Sequence, residues 1–162
     1  MDRSVLMAIV VAVMLVLLAL LYVGWRRRQG RQKNIATPLA APADLGSPLG
    51  TFDGRYVATT TTGDPYDRIA VHGLGFRSLV SLTVTTTGML VQRPGSADFW
   101  VPREHIVSTR QETWTIDRVV ERDGLDLVEW MLGDKHVDSY FRLDARRDFE
   151  AALGGLLVGS AS

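Results

Sequence analysis

Histidine, cysteine and serine are the residue types to search first for chemistry, and here none of them forms a recognisable catalytic pattern. His72, His105 and His136 stand in separate segments, and none has a partner three or four positions away that would complete a helical metal site. The chain has no cysteine, which excludes a thiol nucleophile and a cysteine-based zinc site. No serine lies in a G-x-S-x-G motif. The sequence therefore predicts a protein that is not an enzyme and needs no cofactor or metal.

Two further motifs could bind a ligand. Asp53, Asp64 and Asp67 cluster around a predicted turn, but they do not match a calcium-binding loop, and turn aspartates commonly bond to the backbone. Gly73 to Phe76 spells GLGF, as in the loop of PDZ domains that captures a peptide carboxylate. A PDZ groove needs a second helix after several strands, whereas the only clear helical spacing in this region is at the C-terminus. We therefore expect GLGF to be a tight turn.

Charge is distributed unevenly along the chain. Residues 1–50 contain six Lys/Arg and two acids, whereas residues 51–162 contain twelve Lys/Arg and sixteen acids, a net charge of −4. Trp100, Trp114 and Trp130 could be a stacking platform for bases, but such a site also needs a basic groove. The sequence therefore predicts no nucleic-acid partner, with Trp130 in the core.

The chain is organised around its first apolar run, Val5 to Val23, which contains no charge, Pro or Gly. A helix of this length spans about 28 Å at ~1.5 Å per residue, close to the ~30 Å core of a bilayer. The alternatives are a signal peptide, whose apolar region is usually only ~7–15 residues, and a buried helix, which would show a polar stripe. We expect a membrane anchor, with Tyr22 and Trp25 in the headgroup region.

Five cations follow the anchor within ten residues: Arg26, Arg27, Arg28, Arg31 and Lys33. Because cytoplasmic segments carry the Lys/Arg excess, the N-terminus should lie outside the cell membrane and the rest of the chain in the cytoplasm. The cluster is then a topology signal in loose contact with anionic lipid. The alternative is a specific lipid-binding patch.

Composition divides the chain into four parts: an external tail at 1–4, a transmembrane helix at 5–25, a basic juxtamembrane segment and linker at 26–50, and a domain at 51–162. Three prolines between residues 35 and 50 favour a semi-extended spacer that holds the domain away from the bilayer.

Within the domain the apolar pattern alternates with a period of two, which is typical of half-buried strands. Seven or eight short antiparallel strands are expected. The candidate segments begin at Arg55, Arg68, Val80, Met89, Phe99, Ile106, Trp114, Val128 and Val137. The last segment has helical spacing, with Asp144 as the predicted N-cap and Phe149, Leu153 and Leu156 on one apolar face. The pattern predicts a mainly β barrel or sandwich closed by a C-terminal helix.

The runs HGLGFRSLVSLTVTTTGMLVQRPG, DFWVPREHI and VEWMLGDKHVDSYFR, followed by the closing helix, resemble the bacterial pleckstrin-homology-like (PH-like) domain. The whole chain is similar to a group of small actinobacterial membrane proteins with one N-terminal span and one such domain. The resemblance implies two near-orthogonal antiparallel sheets closed at one end by the helix. It transfers no catalytic or ligand residues, and PH-like domains in general bind lipids, peptides or protein surfaces.

These observations favour a non-enzymatic, single-pass membrane protein whose PH-like domain recruits or assembles a protein partner at the cytoplasmic face. One alternative is an accessory subunit of a transporter or export system, which would need a partner because a purely apolar helix forms no polar pathway. Another is a lipid-sensing module, which would need a basic pocket assembled from scattered arginines.

Overall fold

The computed structural model describes residues 2–32, 34–112 and 124–159. The chain divides into two compact units, Met1–Asn34 and Ile35–Ser162. The strand expected at Trp114 and the cation Lys33 lie outside the described residues.

The first unit is the helix α1, Arg3–Arg31. Its stretch from Arg3 to Arg27 is long and apolar enough to cross a membrane, and an 18-residue window within it has a mean hydropathy of 3.2. The side chains of this stretch are exposed along the helix. Near its end the Tyr22 and Trp25 rings lie 6.1 Å apart, and Arg26 donates a hydrogen bond of 3.2 Å to the Tyr22 hydroxyl.

The second unit is mainly β, as predicted. Among the described residues it contains eight strands: β1 Pro48–Thr61, β2 Asp64–Arg68, β3 Ser78–Thr85, β4 Gly88–Gln92, β5 Phe99–Pro102, β6 Ile106–Glu112, β7 Leu125–Leu132 and β8 Lys135–Leu143. A short 3-10 turn, Arg103–His105, joins β5 to β6.

All eight strands belong to one antiparallel sheet with the order β5-β4-β3-β1-β8-β7-β6, and β2 pairs with β1 outside this path. The long strand β1 lies at the centre of this order: its first part pairs with β3 and its last part with β8, and the buried apolar residues form one core. The sheet is not closed, because β5 and β6 end it on opposite sides. The prediction of a mainly β, antiparallel domain is therefore confirmed, although the sheet does not close into a barrel.

The strand predicted from Arg68 to Leu74 is wrong. Gly63, with φ of +80°, makes the turn after β1, and Asp64 and Pro65 open β2 instead of completing that turn. His72 and Gly73 then adopt φ values of +56° and +70°, which no strand accommodates.

The closing helix α2 is Arg146–Val158, and its buried residues are Phe149, Leu153 and Leu156. The N-cap is Ala145, which caps no backbone group, so the prediction of Asp144 as N-cap is wrong. Asp144 is instead held on the sheet, because its backbone N–H donates to the Asp53 carbonyl at 3.1 Å.

An ion pair fastens the start of α2 to β7. The Arg146 Nε lies 2.8 Å from the Asp126 Oδ1, and the Asp126 carboxyl is buried. Burial raises the pKa of Asp126, and the positive charge of Arg146 opposes that shift.

Residues 35–47, which we call the strap, run along the domain instead of forming the free spacer expected from their composition. Leu39 forms a β-bridge with Trp100, whose backbone N–H donates to the Leu39 carbonyl at 2.8 Å. Further along, the Thr87 hydroxyl donates to the Leu45 carbonyl at 2.7 Å. The strap therefore covers part of the β5 edge, whose backbone donors would otherwise need water.

Candidate functional site

The structure keeps the sequence's metal-binding candidates apart. No group of three His, Cys, Asp or Glu side chains suited to a metal ion occurs in the described part of the chain. Asp64 accepts hydrogen bonds from the backbone of Tyr66 and Asp67, as expected of a turn aspartate. Asp67 accepts from the Thr61 hydroxyl at 2.6 Å, and Asp53 lies elsewhere, beside Asp144.

The GLGF segment is folded onto the core. Leu74 is fully buried, and its carbonyl accepts from the Tyr56 hydroxyl at 2.6 Å and from the Thr59 N–H at 3.0 Å. Phe76, by contrast, is 70% exposed. The segment is therefore a turn anchored through Leu74, as expected, and not a loop that presents its amides to a carboxylate.

A directed chain of buried hydrogen bonds ends at the same carbonyl. Since the Leu74 carbonyl only accepts, the Tyr56 hydroxyl must donate to it, at 2.6 Å. The Thr59 hydroxyl must then donate to Tyr56 at 2.7 Å, and the Ser139 hydroxyl must donate to Thr59 at 2.6 Å. The Trp130 Nε1 completes the chain by donating to Ser139 at 2.9 Å. Burial raises the pKa of Tyr56 to about 12, so the hydroxyl keeps its proton. This network is satisfied internally and offers no reactive group.

The two described members of the proposed tryptophan platform are both buried. Trp130 is 2% exposed within the core, as predicted, and Trp100 is 5% exposed. Trp100 packs over Gly88, where an added Cβ would meet the indole Cζ2 at 2.6 Å. Trp114 lies outside the described residues, so the structure brings no pair of exposed tryptophans together among those it describes.

A groove of about 710 Å³ opens across β1, β3 and β4. We call it the outer-face groove. Its lining residues are Asp53, Gly54, Arg55, Leu79, Val80, Ser81, Gln92, Arg93, Pro94, Asp98 and Asp144.

Strand register explains which side chains reach the groove. Val80 is buried in the core, so its neighbours Leu79 and Ser81 point to the opposite face of β3. Leu79 pairs with Arg55, while Ser81 pairs with Asp53 on one side and Gln92 on the other. The groove is therefore the outward face of the sheet.

Arg93 lines the groove but its guanidinium is committed to the protein. Its two terminal nitrogens donate to the Gly73 carbonyl at 2.8 Å and the Ala97 carbonyl at 3.0 Å. The guanidinium carbon also lies 4.8 Å from the Tyr56 ring centroid and 5.1 Å from that of Phe99. Burial lowers the pKa of Arg93, and the nearby Asp98 carboxylate opposes that shift. Arg93 thus fastens two loops to the core.

The accessible charge in the groove is mainly negative. Asp53, Asp98 and Asp144 are exposed carboxylates, and Arg55 is the exposed cation among the described lining residues. Asp98 accepts a backbone hydrogen bond from Arg93 at 3.0 Å. One feature of the sequence could have indicated this site: Leu79 is an apolar residue at an outward position of a strand. In the structure its side chain is 59% exposed.

A second charged cluster lies on β6, β7 and β8. Glu129 accepts from the Ser108 hydroxyl at 2.9 Å and pairs with His136 at 3.2 Å, and Arg110 bridges Glu129 and Asp138. Burial alone would raise the pKa of Glu129, but the hydrogen bonds from Ser108 and His136 and the charge of Arg110 outweigh it, so the pKa is lowered. Because these charges satisfy one another, the cluster is a structural feature of the sheet.

An open antiparallel sheet with a closing C-terminal helix is the architecture of a PH-like domain. Comparison with known families agrees: the bacterial PH domain-like family matches residues 35–155. The chain therefore belongs to that family, and the match includes the strap.

Other comparisons add little. No curated protein matches the sequence. Two solved structures of Vav1, one bound to an allosteric inhibitor and one an activated truncation, are 12% and 14% identical, with TM-scores of 0.42 and 0.41. They match 74% and 82% of this chain, which spans only 30% and 32% of theirs. Likenesses this distant carry no argument about function.

Proposed function

We propose that this protein is a membrane-anchored, non-enzymatic binding module that recruits a protein partner at the cytoplasmic face. The apolar helix α1 would supply the anchor, and the basic residues at its C-terminal end favour a cytoplasmic domain. Membership of the PH-like family supports a binding role, although fold alone does not fix the ligand.

The observation that carries the proposal is the outer-face groove. It combines an exposed apolar side chain, Leu79, with hydrogen-bonding and charged groups on regular strands. Such a surface suits a peptide, whose main chain and side chains can use both kinds of contact.

The lipid-sensing alternative is weakened by the same groove. Among the described lining residues, an anionic headgroup would meet three carboxylates and one exposed cation, Arg55. The domain released as residues 35–162 should therefore not sediment with vesicles of anionic phospholipid at physiological salt. Strong, headgroup-selective sedimentation would favour lipid sensing over protein recruitment.

Recruitment is tested by co-purification from membranes. The full-length chain and the anchor alone, residues 1–34, would carry the same tag, and captured proteins would be compared by quantitative mass spectrometry. We expect at least one protein to be enriched by the full-length chain only. If both baits retain the same proteins, the domain recruits nothing under those conditions and the proposal fails.

Topology is tested separately with Ser47→Cys, since the chain has no other cysteine. Ser47 is exposed and follows the anchor. An impermeant thiol reagent should label it only after the cells are permeabilised. Labelling in intact cells would place the domain outside and contradict the orientation.

A further inference from the structure

We propose that the outer-face groove binds an extended, positively charged juxtamembrane segment of another membrane protein. This inference rests on the proposed function and names its partner by chemistry.

The groups available to a ligand are acidic. The side chains of Asp53 and Asp144 have no hydrogen bond or ion pair with the described residues, and both are exposed. Asp98 is also exposed and has a backbone hydrogen bond to only one of its oxygens. All three carboxylates line the same groove, so a cationic ligand lying along it could pair with them.

The arginines that line the groove do not neutralise its three carboxylates. Arg93 is 2% exposed, and its terminal nitrogens are bonded to two carbonyls, so it cannot reach a ligand. Arg55 is the one accessible cation among the described lining residues, and it stands beside Leu79 at one end of the groove. A ligand therefore meets more negative than positive charge along most of the groove.

The floor of the groove is built from paired strands. Asp53 and Arg55 on β1 pair with Ser81 and Leu79 on β3, and Ser81 also pairs with Gln92 on β4. Backbone that is already ordered by strand pairing loses little conformational entropy when a ligand binds.

Leu79 supplies an apolar contact. With 59% of its surface exposed on a regular strand, it can pack against the aliphatic part of a lysine or arginine side chain. The groove's volume of about 710 Å³ falls within the range of binding clefts, roughly 300–1,000 Å³.

The membrane face identifies the source of such a segment. Cytoplasmic loops of membrane proteins carry a Lys/Arg excess close to the helix ends. A domain tethered to the same face meets these segments at a high effective concentration, so weak contacts suffice. The juxtamembrane segment of a neighbouring membrane protein is therefore the cationic ligand best placed to occupy the groove.

The test is site-specific photo-crosslinking in living cells with the full-length chain. A benzophenone amino acid would replace Gln92, which is exposed and lines the groove, and in a control chain Val107, which is exposed on β6 outside the groove. Mass spectrometry would then map the crosslinked segment. From the groove position we expect a cytoplasmic juxtamembrane segment with a net positive charge.

Charge dependence supplies the second measurement. Each exposed ion pair contributes a factor of about 1.4 to 5 in affinity, so D53N/D144N should lower the crosslinking yield by roughly fivefold. The matched control E104Q/D134N removes two exposed carboxylates outside the groove and should leave the yield unchanged.

The outcomes separate the two proposals. An acidic or uncharged segment, a second copy of this chain, or a yield insensitive to D53N/D144N would overturn the groove inference. Protein crosslinks from Val107 but none from Gln92 would also overturn it, while recruitment would stand. No crosslink from either position, together with no protein enriched by co-purification, would overturn both.

Discussion

Removal of the Phe149 ring is the most direct test of how the domain is held together. Phe149 is fully buried, and its ring meets that of Phe52 edge-on at a centroid separation of 5.5 Å. Truncation of a buried Phe to Ala costs about 3–5 kcal/mol, because transfer energy is lost and a cavity remains. Domains of this size are stable by only about 5–15 kcal/mol, so Phe149→Ala should leave the fold marginal.

Denaturant unfolding of residues 35–162, followed by tryptophan fluorescence, would measure this loss, since Trp100 and Trp130 are both buried. Phe149→Leu keeps most of the side-chain volume and should cost under about 1.5 kcal/mol. This milder variant should still fold, so the docking of α2 can be tested even if Phe149→Ala does not fold. Val158→Ala, at a position 74% exposed on the same helix, should stay within about 0.5 kcal/mol.

A double-mutant cycle of Phe149→Leu with Phe52→Leu would isolate the ring contact. Edge-to-face aromatic pairs contribute about 0.5–1.5 kcal/mol beyond their buried area, so we expect a coupling energy in that range. A loss below about 1 kcal/mol for Phe149→Ala, similar to that of surface sites, would refute the docking of α2 described here.

Three further predictions follow from the strap and the perturbed groups. The fragment 35–162 should be β-rich by circular dichroism. It should also melt at a higher temperature than the fragment 51–162, because the shorter fragment lacks the first residues of β1 and the strap's contacts with the β5 edge. Equal melting temperatures would show that the strap does not stabilise the domain. Glu129 has a lowered pKa, so it stabilises the fold above its ordinary pKa of 4.5, and this contribution is lost as the pH falls; E129Q should show a shallower loss of stability on acidification. Tyr56, with a pKa raised to about 12, stays protonated in the fold, so the free energy of unfolding should fall as the pH rises from 10 towards that value. Tyr56→Phe should abolish this alkaline loss, and it should cost about 1–3 kcal/mol at neutral pH because buried hydrogen-bonding groups lose their partner. If Tyr56→Phe loses stability between pH 10 and 12 as the unchanged protein does, the burial of that hydroxyl is contradicted.

Features that depend on local periodicity could be predicted from the sequence. The nineteen-residue apolar run forms a helix because every residue in it tolerates that conformation, and its composition alone suits a membrane. Alternation in Val80, Leu82 and Val84 determines which face of β3 is buried. Spacing of three and four residues predicted that Phe149 and Leu153 share one face of a terminal helix. In each case neighbours in sequence carry the pattern.

Local patterns failed where a distant partner decides the conformation. Asp144 has the right type for an N-cap, but its backbone is held by Asp53, 91 positions away by sequence number, and the helix starts beyond it. The strap has the composition of a free linker, yet β5 offers it an unpaired edge.

The charged lining of the outer-face groove was decided by tertiary structure. Three strands and the turn before α2 bring its carboxylates together, and no spacing in the sequence relates Asp53 to Asp98 or Asp144. Arg93 looks like an exposed cation in the sequence, but carbonyls at Gly73 and Ala97 turn it into the core. The sign of the groove's accessible charge therefore depends on which charged side chains the fold buries, because a buried and bonded charge no longer faces a ligand.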